Sequence, residues 1–196
     1  MLLLHGFGDD KTVLRPIGDA LCPTGAVAVY PSLRAHGASP APAWGYSPLD
    51  FAADVQRIAD PLPRPVHVVG HSYGALVAAV LAVSLGPSLI ASVALLDQAF
   101  EPCMERYEAD EWAEGSFLKW HYDYSHLIDA ISSLGTPVLS VIARDSPVVP
   151  EGERTRMLSR RTTRTFSCVL TEGSHTSFLR DSAVEILADF YQATFG

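Results

Sequence analysis

Six short apolar runs, at residues 2–4, 26–30, 66–70, 92–97, 137–143 and 167–171, are continuous rather than alternating. A strand with one face in water alternates apolar and polar side chains, whereas a continuous run suits a strand covered on both faces. Longer segments with helical spacing fall between the runs. Ser47-Pro48-Leu49-Asp50 offers an N-cap, a proline at the first helical position and an acid in the first turn of a helix reaching about residue 60. Residues 72–85 are rich in Ala, Leu and Val, and Gly86-Pro87 stops them. Ser182-Ala183-Val184-Glu185 reads as a capping box opening a C-terminal helix, with Ile186, Leu187, Phe190 and Tyr191 on one face. The alternation predicts an α/β fold: a mostly parallel central sheet of about six strands sandwiched by helices.

The chain's 196 residues suit one domain, 1–196, without a linker or an internal repeat. Residues 98–136 break the rhythm. They hold Phe100, Tyr107, Trp112, Phe117, Trp120, Tyr122 and Tyr124, more aromatic bulk than a plain crossover needs, and predict a small helical cap inserted over the sheet edge. A formal charge of −8 argues against nucleic-acid and anionic-membrane partners, which require a basic surface. No apolar run approaches the ~20 residues that span a bilayer, and the N-terminus lacks the basic region and cleavage site of a signal peptide. Cys22, Cys103 and Cys168 match neither a disulfide framework nor a zinc pattern, and read as ordinary thiols of a cytoplasmic protein. No dinucleotide or P-loop signature occurs, so neither cofactor nor metal is expected.

Gly70-His71-Ser72-Tyr73-Gly74 follows one apolar run and opens a helix. G-x-S-x-G at a strand-to-helix turn exposes a serine hydroxyl at the sheet edge, with glycines where side chains would collide. The helix N-terminus then faces developing negative charge. Ser72 is therefore the candidate nucleophile. An alkoxide does not form unaided near neutral pH, so it needs a base. His175, in Gly173-Ser174-His175-Thr176, alone of the seven histidines follows the final run, where a loop returns over the sheet edge. Oxyanion donors are expected from the backbone amides of Tyr73 and of Phe7, in His5-Gly6-Phe7-Gly8 after the first run.

These motifs resemble the α/β-hydrolase superfamily. His5-Gly6-Phe7-Gly8, Arg34-Ala35-His36-Gly37-Ala38-Ser39, Gly70–Gly74 and the loop carrying His175 come in the family's order over nearly the whole chain. The resemblance implies a site at the C-terminal edge of the sheet and a Ser–acid–His triad. Two features depart from the pattern. Relatives carry about two strands before the His-Gly station, where this chain begins; either the domain is trimmed or a leading segment is missing, and an edge left exposed favours a homo-oligomer. Relatives also tend to carry G-x-x-D-x-x-V-P after the strand that follows the insertion, and here Ser146 occupies the aspartate's place with Asp145 one residue early. Asp145 is the expected acid, and Asp97, ending the run at 92–97, is its rival.

Weaker signals accompany these. His121, Asp123 and His126 match no known metal spacing. Arg154, Arg156, Arg160, Arg161 and Arg164 read as a solvated helical face, and His36 and His71 as pocket-lining residues. The insertion's aromatics suggest a greasy wall, and Glu101, Glu105, Glu108, Asp110, Glu111 and Glu114 an acidic rim that repels anions. The expected function is hydrolysis of a carboxylic ester or thioester of a small, neutral, fairly apolar molecule through an acyl-enzyme. The alternatives are C–C cleavage, acyl transfer or a lyase reaction on the same fold, and a non-catalytic ligand-binding relative.

Overall fold

The computed structural model describes residues 1–23, 25–102 and 123–195. Strands β1 (Leu2–Leu4), β2 (Val66–His71), β3 (Ile90–Leu96), β4 (Val138–Ala143) and β5 (Phe166–Thr171) form one sheet in the order β1-β2-β3-β4-β5. Every neighbouring pair is parallel. The described helices are α1 (Arg15–Leu21), α2 (Pro48–Ala59), α3 (Tyr73–Leu85), α4 (His126–Ser133), α5 (Glu151–Ser159), α6 (Phe178–Asp181) and α7 (Ala183–Phe195). Among the described residues no helix is long and apolar enough to cross a membrane.

The continuous apolar runs are explained by burial on two faces. Successive residues of one strand supply two separate cores: Leu2, Leu4, Val68, Val93 and Leu95 pack with α2, α3 and α4, while Leu3, Val69, Ala94 and Leu96 pack with α1, α6 and α7. Phe51 of α2 and Phe178 of α6 anchor the opposite cores, both fully buried. Each such side chain contributes about 1.5–3 kcal/mol relative to exposure. Helix α2 starts as its sequence predicts: Ser47 caps Asp50's amide and Asp50's carboxylate reaches back to the Ser47 amide.

One expectation changes. The run at 26–30 is not a full strand but a single bridge from Val29 to Leu2. Val29 accepts from the Leu3 amide at 2.9 Å and donates to the Met1 carbonyl at 2.9 Å, so part of the outer edge of β1 is paired. The sheet thus has five strands, with Val29 beside β1, and the rest of the run finds no ladder partner; Val27 is exposed. The Ser182 hydroxyl meets the Thr171 hydroxyl at 2.7 Å, and so ties β5 to the start of α7. Residues 103–122, the centre of the expected cap, lie outside the described residues; of the region 98–136, α4 is described and packs its buried Leu127, Ile128 and Ile131 beneath the sheet's first face.

The connection leaving β1 runs outward to Val29, while the chain then crosses back to β2 and proceeds in the opposite direction to β5. This reversal is a topological switch point. Open α/β sheets bind ligands outside the carboxyl ends of the strands at such a point, here β1 and β2.

Candidate active site

Ser72 stands directly at the end of β2, with φ 51° and ψ −129°. A non-glycine residue in this region carries about 1–3 kcal/mol of strain, held here by the surrounding structure. The Ser72 amide donates to the Leu96 carbonyl at 2.8 Å, and the Ser72 carbonyl accepts from Ala75 at 2.8 Å. The flanking glycines permit the turn. A Cβ on Gly70 would lie 2.3 Å from the Gly74 carbonyl oxygen, and one on Gly74 would lie 2.3 Å from that of Leu4. Both collisions are with backbone, so helix α3 can enter against β1 and β2 only without side chains at these positions.

The loop after β1 lies against the nucleophile. A Cβ on Gly6 would approach Ser72 Cβ to 2.9 Å, so Gly6-Phe7 passes directly beside the serine. Two histidines shape this loop. His5 is buried, donates from Nδ1 to the Gly6 carbonyl at 2.8 Å and accepts the Leu33 amide on Nε2 at 3.1 Å. Burial holds it below the usual imidazole range, consistent with a neutral ring. His36 bridges in the same manner: Nδ1 donates to the Arg34 carbonyl at 2.8 Å and Nε2 accepts the Gly8 amide at 3.1 Å. His36 thus staples the second motif to the first. The Phe7 ring packs edge-on against it, with centroids 5.6 Å apart. Tyr73 is the first residue of α3, and its buried ring meets Phe51 at 5.0 Å.

His175 lies in the loop between β5 and α6, and its Nδ1 is 2.7 Å from Asp97 Oδ2. Asp97 is fully buried at the end of β3, with φ 50°. Its other oxygen, Oδ1, accepts the Ala143 amide at 2.9 Å, and its own amide donates to the Val141 carbonyl at 2.7 Å. A buried carboxylate can only accept, so Nδ1 of His175 carries the hydrogen and Nε2 is left with its lone pair.

The expectation for Asp145 is corrected by this geometry. Its side chain is exposed; only its backbone contributes, the amide donating to the Gly173 carbonyl at 3.0 Å and so supporting the His175 loop. The acid that meets His175 is the rival, Asp97. The physical reason is register: Leu96 pairs with His71 across β2 and β3, so the residue after β3 emerges beside the residue after β2. Asp145 leaves a strand one place further from Ser72. Position at the end of an apolar run, where a carboxylate must find a buried partner, is the sequence signal that points to Asp97.

Several other expectations resolve. His71 is fully buried beneath the His175 loop and not a pocket wall. Glu101 pairs with Arg156, and the acidic positions 105–114 lie outside the described residues, as does His121. The arginine stretch is not simply a solvated face: Arg154 donates to the Arg144 and Ser146 carbonyls, and Arg160 pairs with Asp129. Arg154 thereby organises the loop that holds Asp145. Glu153, unremarked in the sequence, is buried and accepts the Phe100 amide at 2.6 Å; burial pushes its carboxyl up to about 7.

The arrangement has the parts that activate a nucleophile elsewhere: a strained serine at a helix N-terminus, an imidazole oriented by a buried carboxylate, and the Gly6-Phe7 backbone passing beside the serine. No curated protein sequence matches the chain. Solved structures match over nearly its whole length. The thioesterase domain from the curacin biosynthetic pathway superposes with a TM-score of 0.75 at 18% identity, covering 96% of this chain and 89% of that one. E-2-(acetamidomethylene)succinate hydrolase gives 0.69 at 20% identity, covering 98% and 91%. The Pyrococcus furiosus esterase gives 0.71 at 21%, covering 97% and 81%. At these identities the likeness is one of fold. The family model described as alpha/beta hydrolase fold matches residues 1–123, and the chain belongs to that family.

Proposed function

We propose that this protein is a serine hydrolase that cleaves a carboxylic ester or thioester of a small, neutral, fairly apolar molecule through an acyl-enzyme. The observation that carries the reading is the 2.7 Å contact between His175 Nδ1 and the buried Asp97 carboxylate, which in this reading leaves Nε2 to serve as the base for Ser72. Ser72 Oγ attacks the substrate carbonyl as its proton passes to His175 Nε2. The amides of Tyr73 and Phe7 take the oxyanion. Collapse of the tetrahedral intermediate expels the alcohol or thiol, which receives the proton from His175. Water then attacks the acyl-enzyme, its proton passing to Nε2 and from there to Ser72 as the acid leaves. Asp97 holds the imidazole tautomer and stabilises the imidazolium throughout. The net charge of −8 disfavours anionic substrates. The thioesterase and esterase structures that share the fold support ester chemistry of this type.

The test is labelling with a fluorophosphonate probe, read by mass spectrometry of intact protein and peptides. Adduct on Ser72 that is lost in Ser72→Ala and in His175→Ala supports the assignment. A folded wild type that stays unlabelled overturns it and favours a ligand-binding role.

A further inference from the structure

Beyond its triad partner, His175 is held by the neighbour of the nucleophile. His71 is fully buried, and its Nε2 lies 2.8 Å from the His175 backbone carbonyl. A carbonyl only accepts, so Nε2 carries the hydrogen. The two imidazole rings are in tilted contact, centroids 4.5 Å apart and planes inclined by 36°. On the opposite side of the His71 ring, Nδ1 has no hydrogen-bond partner among the described residues and faces Asp9 Oδ2 at 3.6 Å. The Nδ1–Asp9 contact is an attraction when Nδ1 also carries a hydrogen, and His71 keeps the Asp9 carboxyl below the usual range. Asp9 belongs to the loop that bears Phe7, closed by the Asp9 amide on the Gly6 carbonyl at 3.3 Å.

We propose that His71 is a positioning residue, clamping the His175 loop to the oxyanion loop through Nε2–H on the His175 carbonyl and Nδ1 toward Asp9. The proposal rests on the hydrolase reading above. Other bonds in the His175 loop hold its flanks: Asp145 to Gly173, and Ser174 with Ser177. The His71 bond acts on the backbone of His175 itself, and the ring packed against it at 4.5 Å limits rotation of its side chain. Because His71 is joined covalently to Ser72, one imidazole relates nucleophile, base and oxyanion loop. Reacting groups tolerate little displacement; an error of ~1 Å can cost about 100-fold in rate.

The experiment compares wild type with His71→Phe, His71→Gln and Asp9→Asn. Two quantities are read: the second-order rate of Ser72 labelling by fluorophosphonate, and the downfield proton resonance of the His175 Nδ1–H bond to Asp97. Phenylalanine keeps the ring and loses both nitrogens, and we expect labelling at least ~10-fold slower with the resonance broadened by exchange. Glutamine places an amide N–H near the position of Nε2 and restores most of the rate and the sharp resonance. Asp9→Asn, at a partly exposed position where folding is not at risk, slows labelling less than His71→Phe and leaves the resonance sharp. The proposal is overturned if folded His71→Phe labels at the wild-type rate with an unchanged resonance, if glutamine rescues neither readout, or if Asp9→Asn labels at the wild-type rate. If the wild type itself does not label, the hydrolase reading falls, and the resonance in His71→Phe still decides whether the clamp exists.

Discussion

Asp97→Asn should cripple the protein through geometry alone. In the native site Oδ1 accepts from the Ala143 amide and Oδ2 accepts from His175 Nδ1, with the side chain fully buried. Asparagine has the same shape but one oxygen. The Ala143 amide is a fixed donor, so it selects the orientation with oxygen toward Ala143 and NH2 toward His175. The opposite orientation would set donor against donor inside the protein, at a cost of about 1–3 kcal/mol. The NH2 then faces Nδ1, which must turn acceptor, and the ring hydrogen moves to Nε2. An imidazole protonated on Nε2 cannot take the Ser72 proton. Loss of the correct tautomer typically lowers kcat ~10⁴-fold, or about 5.5 kcal/mol of transition-state stabilisation. The assay is the time course of Ser72 labelling, with p-nitrophenyl acetate hydrolysis alongside and a thermal melt to establish folding. Asp145→Asn is the control: its side chain is exposed and its contribution is a backbone amide, so its rate should stay within about twofold of wild type. A folded Asp97→Asn within tenfold of wild type, with Asp145→Asn the slower of the two, would refute the reasoning.

Further outcomes follow from the strained turn, its glycines and the buried glutamate. Ser72→Gly should be more stable than Ser72→Ala by about 1 kcal/mol in denaturant unfolding, because glycine adopts φ 51° without strain. Equal stabilities would show that the turn stores none. Gly74→Ala should destabilise by about 3 kcal/mol or more, since its Cβ would sit 2.3 Å from a strand carbonyl that cannot move aside; a loss below ~1 kcal/mol in chemical denaturation would show that the β1–α3 packing can yield. Glu153 makes stability fall as pH rises. Its folded carboxyl titrates at about 7 against an ordinary 4.5, so between these values the folded state holds a proton that the unfolded state has released. The loss across that window is up to ~3 kcal/mol. Glu153→Gln keeps an acceptor for the Phe100 amide, and its unfolding free energy should gain on wild type from pH 4.5 to 7; parallel curves would place the Glu153 titration elsewhere.

Much of this protein was determined by sequence alone, because the signals are local. Continuous apolar runs demand strands covered on both faces, and Ser47-Pro48-Leu49-Asp50 can cap its helix without help from the rest of the chain. Gly70 and Gly74 announce a turn at which nothing larger fits, and this marked Ser72. Tertiary structure decided what depends on neighbours distant in sequence. The run at 26–30 looks as strand-like as the others, yet only Val29 finds an edge to pair with. Asp145 fits a familiar spacing, but spacing carries no strand register; the pairing of His71 with Leu96 puts Asp97 beside the nucleophile instead. His71 shows nothing in sequence beyond its place in a motif, and gains its partners only when a loop 104 residues away folds over it. Local chemistry names candidate groups, while the sheet, by fixing which strand ends are adjacent, selects the partners that act together.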